Sequence, residues 1–497
     1  MQVKQILRSK TLERYFSQFR TNTIGFDQSF QSPYGKKPIV YADWIASGRL
    51  YQPIETIMSS DIAAFVGNTH TETSVTGSTM TLAYHQAKQI IKKHVNAHEK
   101  DVLIASGSGM TGVVNKFQRI LGLKASEKLM GYMTIPKEEK PVIFVTHMEH
   151  HSNHTSWLET IAEVVCIEPC SEGLVNLVHF AELLETYKDR KVKYAAVTSC
   201  SNVTGIFTPY QQIARMIHGV GGYCFVDFAC SAPYVDIDMH PEDPMEQLDA
   251  IYFSPHKFLG GPGTPGILIF NSKLYSNTKP DNPGGGTVSW TTPWGEHRFL
   301  SDIEAREDGG TPPFLQTIRT ALSIRLKEKM GVSNILEREE EILHDVFEGL
   351  EKIEGLHILA GHVKKRIGAI SFYVDELHFN LGVQLLNDRY GVQVRGGCSC
   401  AGTYGHYLLS VSQEHSCQIR SKIDGGDLTA KPGWIRLSVH PTMSDEEVAL
   451  IIRSITEVST HHKEWGKDYK YNCNTNEYSH IKNPINLKNN ISNWFDL

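Results

Sequence analysis

AIYFSPHKFLGGPGTPGILIF (250–270) holds two apolar runs, AIYF and GILIF, separated by a glycine- and proline-rich loop that carries Lys257. Four- and five-residue runs of β-branched and aromatic residues bounded by Gly and Pro read as buried strands. Working outward, DVLIAS (101–106), PVIFVT (141–146), YAAVTSC (194–200) and YCFVDF (223–228) have the same character. Between them GVVNKFQRIL, SWLETIAEVV and QQIARMIHGVGG follow helical spacing. Nearly continuous apolar strands alternating with helices predict an α/β fold, a mostly parallel sheet covered by helices on both faces. Its functional groups belong at the carboxyl ends of the strands. A helical stretch from about Gln316 to Glu354 leads to a smaller α/β unit containing AISFYV (369–374), VQLLNDRYGVQVR (383–395) and WIRLSV (434–439). That unit closes on a helix opened by Ser444 with three acidic residues behind it. The expected organisation is an N-terminal segment 1–40, a large domain 41–325, a small domain 326–462 and a tail 463–497.

Four segments carry chemistry. Lys257 follows a strand and precedes a constrained loop, a setting that holds an amine partly desolvated and ready to act as a nucleophile. Asp227 ends the apolar run YCFVD, where a carboxylate needs a cation or several donors; a protonated pyridine nitrogen is one such cation. SGSGMTG (106–112) is a glycine-rich turn from strand to helix, suited to a phosphate but without the Gly-Lys-Ser/Thr of a nucleotide P-loop. HMEHHSNHTSW (147–157) places four histidines in eight residues. It lacks the HExxH spacing of a zinc site, and an imidazole packed on an aromatic ring is the better use.

Composition excludes several classes. Forty per cent hydrophobic with 21% charged residues is the balance of a folded globular chain rather than a disordered one. A net charge of −6 provides no attraction for nucleic acid or an anionic membrane surface. No apolar run approaches the 18 residues of a membrane span. The start, MQVKQILRSKTLERYFSQFR, is basic and amphipathic, and Ile6, Leu7, Glu13 and Tyr15 favour a surface helix over a leader. Nine cysteines without a repeating framework suit a reducing compartment, the cytoplasm by default. Cys166, Cys170, Cys200 and Cys224 read as buried small hydrophobes, whereas Cys398 and Cys400 sit among glycines.

In order along the chain, YADWIAS, MEHHSN, SNVTG, VDFACSAP, FSPHK, GGTP and RGGCSCAG resemble the motifs of the class V, fold-type-I pyridoxal 5′-phosphate (PLP) enzymes. The chain is most similar to the Suf-type cysteine desulfurase and selenocysteine lyase family, over roughly Tyr41 to Ile455. The resemblance implies PLP as cofactor, with Lys257 as the Schiff-base lysine, Asp227 on the pyridine nitrogen and His150 stacked on the ring. Asn202 would contact the cofactor oxygen or the substrate carboxylate. Thr111, Ser254 and His256 would bind phosphate, and Gly310 and Thr311 the phosphate of a neighbouring subunit in a homodimer. Arg436, with Arg395 near it, would take the carboxylate of a small amino-acid substrate, and Cys400 would accept sulfur. No metal is implied, and a sulfur-acceptor protein is the expected partner.

The implied reaction removes sulfur or selenium from L-cysteine or a relative, leaving a Cys400 persulfide and alanine. The chain departs from the family pattern at Cys230, where glutamine is usual, and at Met110, where threonine is common. Cys398 adds a second thiol where histidine is usual, and 122–140 and 405–433 are long. These departures keep two rivals open: another class V activity such as transamination or β-elimination, and a metal-binding or redox-sensing loop built from Cys398, Cys400 and His406. Two residues apart in an extended loop, Cys398 and Cys400 are expected to face the same side.

Overall fold

In the computed structural model, residues 2–69, 71–483, 485 and 491–496 are described, residues 2–10 by their backbone alone. The chain divides into two units, Asn22–Ile24 with Ile45–Leu336, and Met1–Thr21 with Gly25–Trp44 and Glu337–Leu497.

The larger unit is built on a seven-stranded sheet. Its strands are β1 (Asp101–Ser106), β2 (Val142–Thr146), β3 (Glu163–Ile167), β4 (Lys193–Thr198), β5 (Tyr223–Asp227), β6 (Ala250–Phe253) and β7 (Gly266–Asn271). They lie in the order β1-β7-β6-β5-β4-β2-β3. Only β7 runs against its neighbours, so the expectation of a mostly parallel sheet holds. Every residue of β2, β4 and β6 is buried, as a sheet covered on both faces requires. Phe117, Trp157, Phe225, Tyr252 and Phe270 form the centre of the core on one face. Register brings the strand ends to one edge. Ser106 pairs with Gly266, Ile267 with Phe253, Tyr252 with Asp227, and Asp227 with Thr198. The loops after β1, β4, β5 and β6 therefore open together.

Two helical readings change. SWLETIAEVV is not one helix: the helix spans His151–Leu158 and the chain returns as β3 at Glu163. The His150 imidazole starts it early, accepting the Ser152 N–H through Nδ1 at 3.1 Å. The stretch after Gln316 is two helices, Phe314–Met330 and Val332–Leu350, parted at Gly331 with φ of 78°. A left-handed residue ends a helix, and glycine takes that conformation without strain.

The smaller unit has a four-stranded sheet of β8 (Leu356–Ile358), β9 (Ala369–Val374), β10 (Arg395–Gly397) and β11 (Trp434–Ser438), in the order β8-β9-β11-β10. Its last long helix, Asp445–Trp465, opens on a capping box between Ser444 and Glu447. The expected boundaries 1–40 and 463–497 do not describe free-standing segments. Phe16 and Phe19 are buried, Arg20 reaches Glu447 at 2.5 Å, and Asp445 N–H donates to Glu13 at 2.9 Å. The N-terminal helix Gln2–Thr21 is thus part of the smaller unit; the face set by Ile6 and Leu7 lies outside the described residues. The tail forms a hairpin of β12 (Tyr469–Asn472) and β13 (Glu477–His480), although residues 484, 486–490 and 497 lie outside the described residues. Short-range polarity could not announce that hairpin because its anchors are distant: the Tyr469 hydroxyl donates to Asp388 at 2.9 Å.

Candidate active site

In the larger unit the residues singled out from the sequence gather at the open edge of the sheet. Asp227 ends β5 and is fully enclosed; burial pushes its carboxyl up to about 6, against the pull of the Ala229 N–H and the Lys257 charge. That N–H reaches Oδ1 at 2.8 Å. Lys257 ends the short turn Pro255–Lys257 just past β6, the strand beside β5, so the expected convergence from neighbouring strand ends is observed. Close backbone packing fixes this turn. Gly48 N–H donates to the His256 carbonyl at 2.9 Å, and a Cβ on Gly48 would stand 2.0 Å from the Phe258 oxygen. A Cβ on Gly261 would meet the Pro255 oxygen at 1.9 Å. Any side chain at either glycine displaces the lysine-bearing turn.

Above them, the turn after β1 feeds the helix Met110–Ile120. Met110 N–H donates to Ser254 Oγ at 2.8 Å, and Thr111 and Ser152 share a hydroxyl hydrogen bond of 2.6 Å. A Cβ on Gly109 would lie 3.0 Å from the His256 ring and 3.3 Å from Ser254 Oγ. Burial and the Lys257 charge hold His256 below the usual imidazole range, so it is neutral near pH 7. Helix N–H groups, hydroxyls and a neutral imidazole are groups that could hold a phosphate. Asn202 is buried in the loop after β4, and Gly310 and Thr311 are exposed, Thr311 Oγ1 lying 3.4 Å from Asn68.

The histidine run divides its work. His147 Nε2 lies 3.1 Å from the Gly173 carbonyl, while His150 caps its helix through Nδ1 and so carries its proton on Nε2. Glu149, which sequence reasoning passed over, is fully buried and pushed up to about 8 by that burial. It accepts from Thr146, Asn153 and the Thr198 N–H, tying the ends of β2 and β4 together. The signal was its place in MEHHSN, directly after an apolar strand. Cys230 is buried with its sulfur 3.6 Å from the Ser201 carbonyl. Cys200 and Cys224 are buried as expected; Cys166 and Cys170 are only half-buried.

In the smaller unit Arg395 and Arg436 are directly opposed on β10 and β11. Like charges so placed repel unless an anion bridges them. Asp43 does so, at 2.6 Å to Arg436 and 3.0 Å to Arg395 Nε. Arg436 is 3% exposed and Arg395 is open to solvent. The neighbouring Trp44 stacks on His440 at 3.9 Å, and burial takes that imidazole down to about 3. Two guanidiniums bridged by one carboxylate are a donor set that could take a carboxylate ligand in its place.

The cysteine pair is arranged differently from the expected extended loop. Ala401 N–H bonds the Cys398 carbonyl at 3.0 Å, closing a tight turn with φ of 51° at Ser399 and 57° at Cys400. Alternation of faces does not apply in such a turn. Left-handed conformations at two non-glycine residues cost about 1–2 kcal/mol each. Cys400 is exposed and Cys398 half-buried. His406 has both ring nitrogens engaged, with the Gly402 carbonyl at 2.7 Å and Ser416 Oγ at 2.8 Å. It is therefore not poised to join the two thiols on a metal.

Known proteins place the arrangement. Probable cysteine desulfurases of Staphylococcus aureus (strain Mu50 / ATCC 700699) and Staphylococcus epidermidis (strain ATCC 12228 / FDA PCI 1200) are each 27% identical over 369 residues. The match spans 73% of this chain and 84% of each relative. Among solved structures, the apo cysteine desulfurase of Thermococcus onnurineus NA1 superposes with a TM-score of 0.70 at 21% identity, over 89% of this chain and 98% of its own. The cysteine desulfurase CsdA of Escherichia coli, in its S-sulfonic acid form, gives 0.68 at 19%, over 90% and 98%. The fold is that of the fold-type-I enzymes expected from the sequence. The aminotransferase class-V family model matches residues 40–451, from the Asp43 segment to the last long helix, and the chain belongs to that family.

Proposed function

We propose that this chain is a PLP-dependent cysteine desulfurase that removes sulfur from L-cysteine, or selenium from its analogue, and leaves alanine. The observation that carries the reading is the enclosed Asp227 carboxylate beside Lys257, at the end of a phosphate-type cradle. A carboxyl raised by burial is an unmet demand for a cation, and a protonated pyridine nitrogen answers it. Thr111, Ser254 and His256 would hold the cofactor phosphate, His150 would pack on the ring, and Asn202 would bind the ring oxygen or the substrate carboxylate. When bound, PLP supplies an electron sink at the substrate α-carbon.

The chain's own groups do the rest. Lys257 takes and returns the α-proton at Nζ. Arg436, assisted by Arg395, exchanges the Asp43 carboxylate for that of the substrate. The Cys400 thiolate attacks the substrate sulfur; a sulfur–sulfur bond forms as the carbon–sulfur bond breaks, and the electron pair stays with carbon. Free thiols throughout the chain suit a reducing compartment, the cytoplasm.

Borohydride reduction followed by peptide mapping is expected to place the cofactor on Lys257, and an adduct on another lysine would overturn the assignment. With a thiol reductant present to release the persulfide sulfur, a panel of amino acids is expected to yield alanine and sulfide from L-cysteine, and alanine and selenide from its selenium analogue; keto-acid formation with an amino acceptor would favour transamination instead.

We also read the active form as a homodimer. Gly310 and Thr311 sit exposed on a loop suited to a partner's phosphate, and two-fold closure is the commonest assembly. Light scattering at micromolar concentration should give twice the chain mass. A fully loaded, active monomer would contradict it.

A further inference from the structure

The segment that carries Asp43 is fixed by bonds that do not involve the Asp43 side chain. Ala42 N–H donates to the Gln393 carbonyl at 2.9 Å, and Ser438 N–H donates to the Ala42 carbonyl at 2.8 Å. Asp43 itself bridges Ser438 in parallel register. Next to it, Trp44 Nε1 donates to the Tyr41 carbonyl at 3.0 Å while its ring stacks on His440. Backbone pairing and this stack hold the chain in place whatever the carboxylate does.

Both oxygens of that carboxylate are given to the arginines. Oδ1 takes Arg436 Nη2 at 2.6 Å and Oδ2 takes Arg395 Nε at 3.0 Å. Directly opposed on β10 and β11, the two guanidiniums repel each other, so the pair demands an anion at all times. One bridging carboxylate balances only one of the two positive charges. Arg395 is open to solvent and Arg436 is buried, so an incoming carboxylate meets Arg395 first. It gains Arg436 as Asp43 gives it up, and rotation about the Asp43 Cα–Cβ bond achieves this with every backbone bond kept.

We propose that Asp43 is an internal competitor for the substrate carboxylate, an affinity-setting residue that each carboxylate ligand of the Arg395–Arg436 pair has to displace. The assignment of that pair to the substrate rests on the desulfurase reading; the competition for it does not. Such a ligand binds only the fraction of molecules in which Asp43 has turned away, and its dissociation constant is raised by that factor. The factor is common to all carboxylates, but its effect on selection is unequal. A ligand held by its carboxylate alone falls below useful affinity, while an amino acid held through its amine as well still binds.

The probe is 3-mercaptopropionate, which has the carboxylate and thiol of cysteine without the amine, titrated calorimetrically into the full chain. Asp43→Asn is expected to bind it about tenfold or more tightly than the unaltered protein. Asparagine keeps an acceptor for one arginine and brings no charge. The KM for L-cysteine should fall in the same variant, by more than any change in kcat. A residue that merely held Arg436 in place would give the opposite sign, and equal or weaker probe binding overturns the competition. Should the variant fail to fold, the unaltered protein decides. Its crystals soaked in the probe are expected to show the ligand carboxylate on Arg436 with Asp43 turned away. An intact Asp43–Arg436 pair beside bound probe overturns the proposal. Tighter probe binding in the variant, with no alanine formed from L-cysteine by either protein, would leave the competition standing and overturn the desulfurase reading.

Discussion

Cys400→Ser protein, incubated with L-cysteine, is expected to release sulfur at least about 1,000-fold more slowly than the unaltered chain while keeping its PLP. The attacking species is a thiolate, and a serine hydroxyl does not ionise near neutral pH. The substitution changes one exposed atom on the turn 398–401 and leaves the Ala401 to Cys398 backbone hydrogen bond in place, so the fold and the Asp227–Lys257 site are untouched. Cys398→Ser should retain the first turnover, because Cys398 is the half-buried member of the pair. Mass spectrometry after a single turnover should find the added sulfur on Cys400. Sulfur release at the unaltered rate in Cys400→Ser would remove the thiol from the mechanism and move the protein to the β-elimination reading.

Asp227→Asn should act in opposite directions on the bare chain and on the loaded one. Burial raises the folded-state carboxyl to about 6, above its unfolded value near 3.9. Across that interval the folded chain holds the extra proton, so stability falls as pH rises from about 4 to 6 and stays reduced above it. Keeping this carboxyl ionised in the folded chain costs up to about 3 kcal/mol at pH 8. Asparagine keeps an oxygen for the Ala229 N–H and removes the charge. Without cofactor, the variant should therefore be more resistant to urea at pH 8 than the unaltered protein. That advantage should shrink by roughly 1 kcal/mol at pH 5. PLP retention should instead fall by tenfold or more, because the ring nitrogen loses its anion. A variant less stable than the unaltered chain at pH 8 would show that the carboxylate already has adequate partners.

How far the site was legible depended on the range of the interactions that build it. Asp227 and Lys257 could be found from sequence because each ends an apolar run, and the strand pattern put those runs side by side. The ordered motifs named the family for the same reason, since each is a strand end or a turn whose chemistry is local. Glu149 escaped notice because its burial and its bond from the Thr198 N–H arise only when β2 and β4 pair. The bridge from Asp43 to Arg395 and Arg436 spans more than 350 residues and rests on the register of β10 with β11.

Composition, periodicity and strand-end residues, all properties of neighbouring positions, determined the α/β class, the parallel sheet and the lysine and aspartate on which the chemistry is proposed, while the cysteine came from the resemblance of RGGCSCAG to the family motif. Tertiary structure decided what depends on distant segments meeting. It joined the N-terminal helix to the smaller unit, folded the tail into a hairpin, turned Ser399 and Cys400 into the left-handed region, and opened a cavity beside them. The physical reason is that burial and charge pairing are settled by what lies across the fold, whereas helix and strand patterns are written into a window of a few residues.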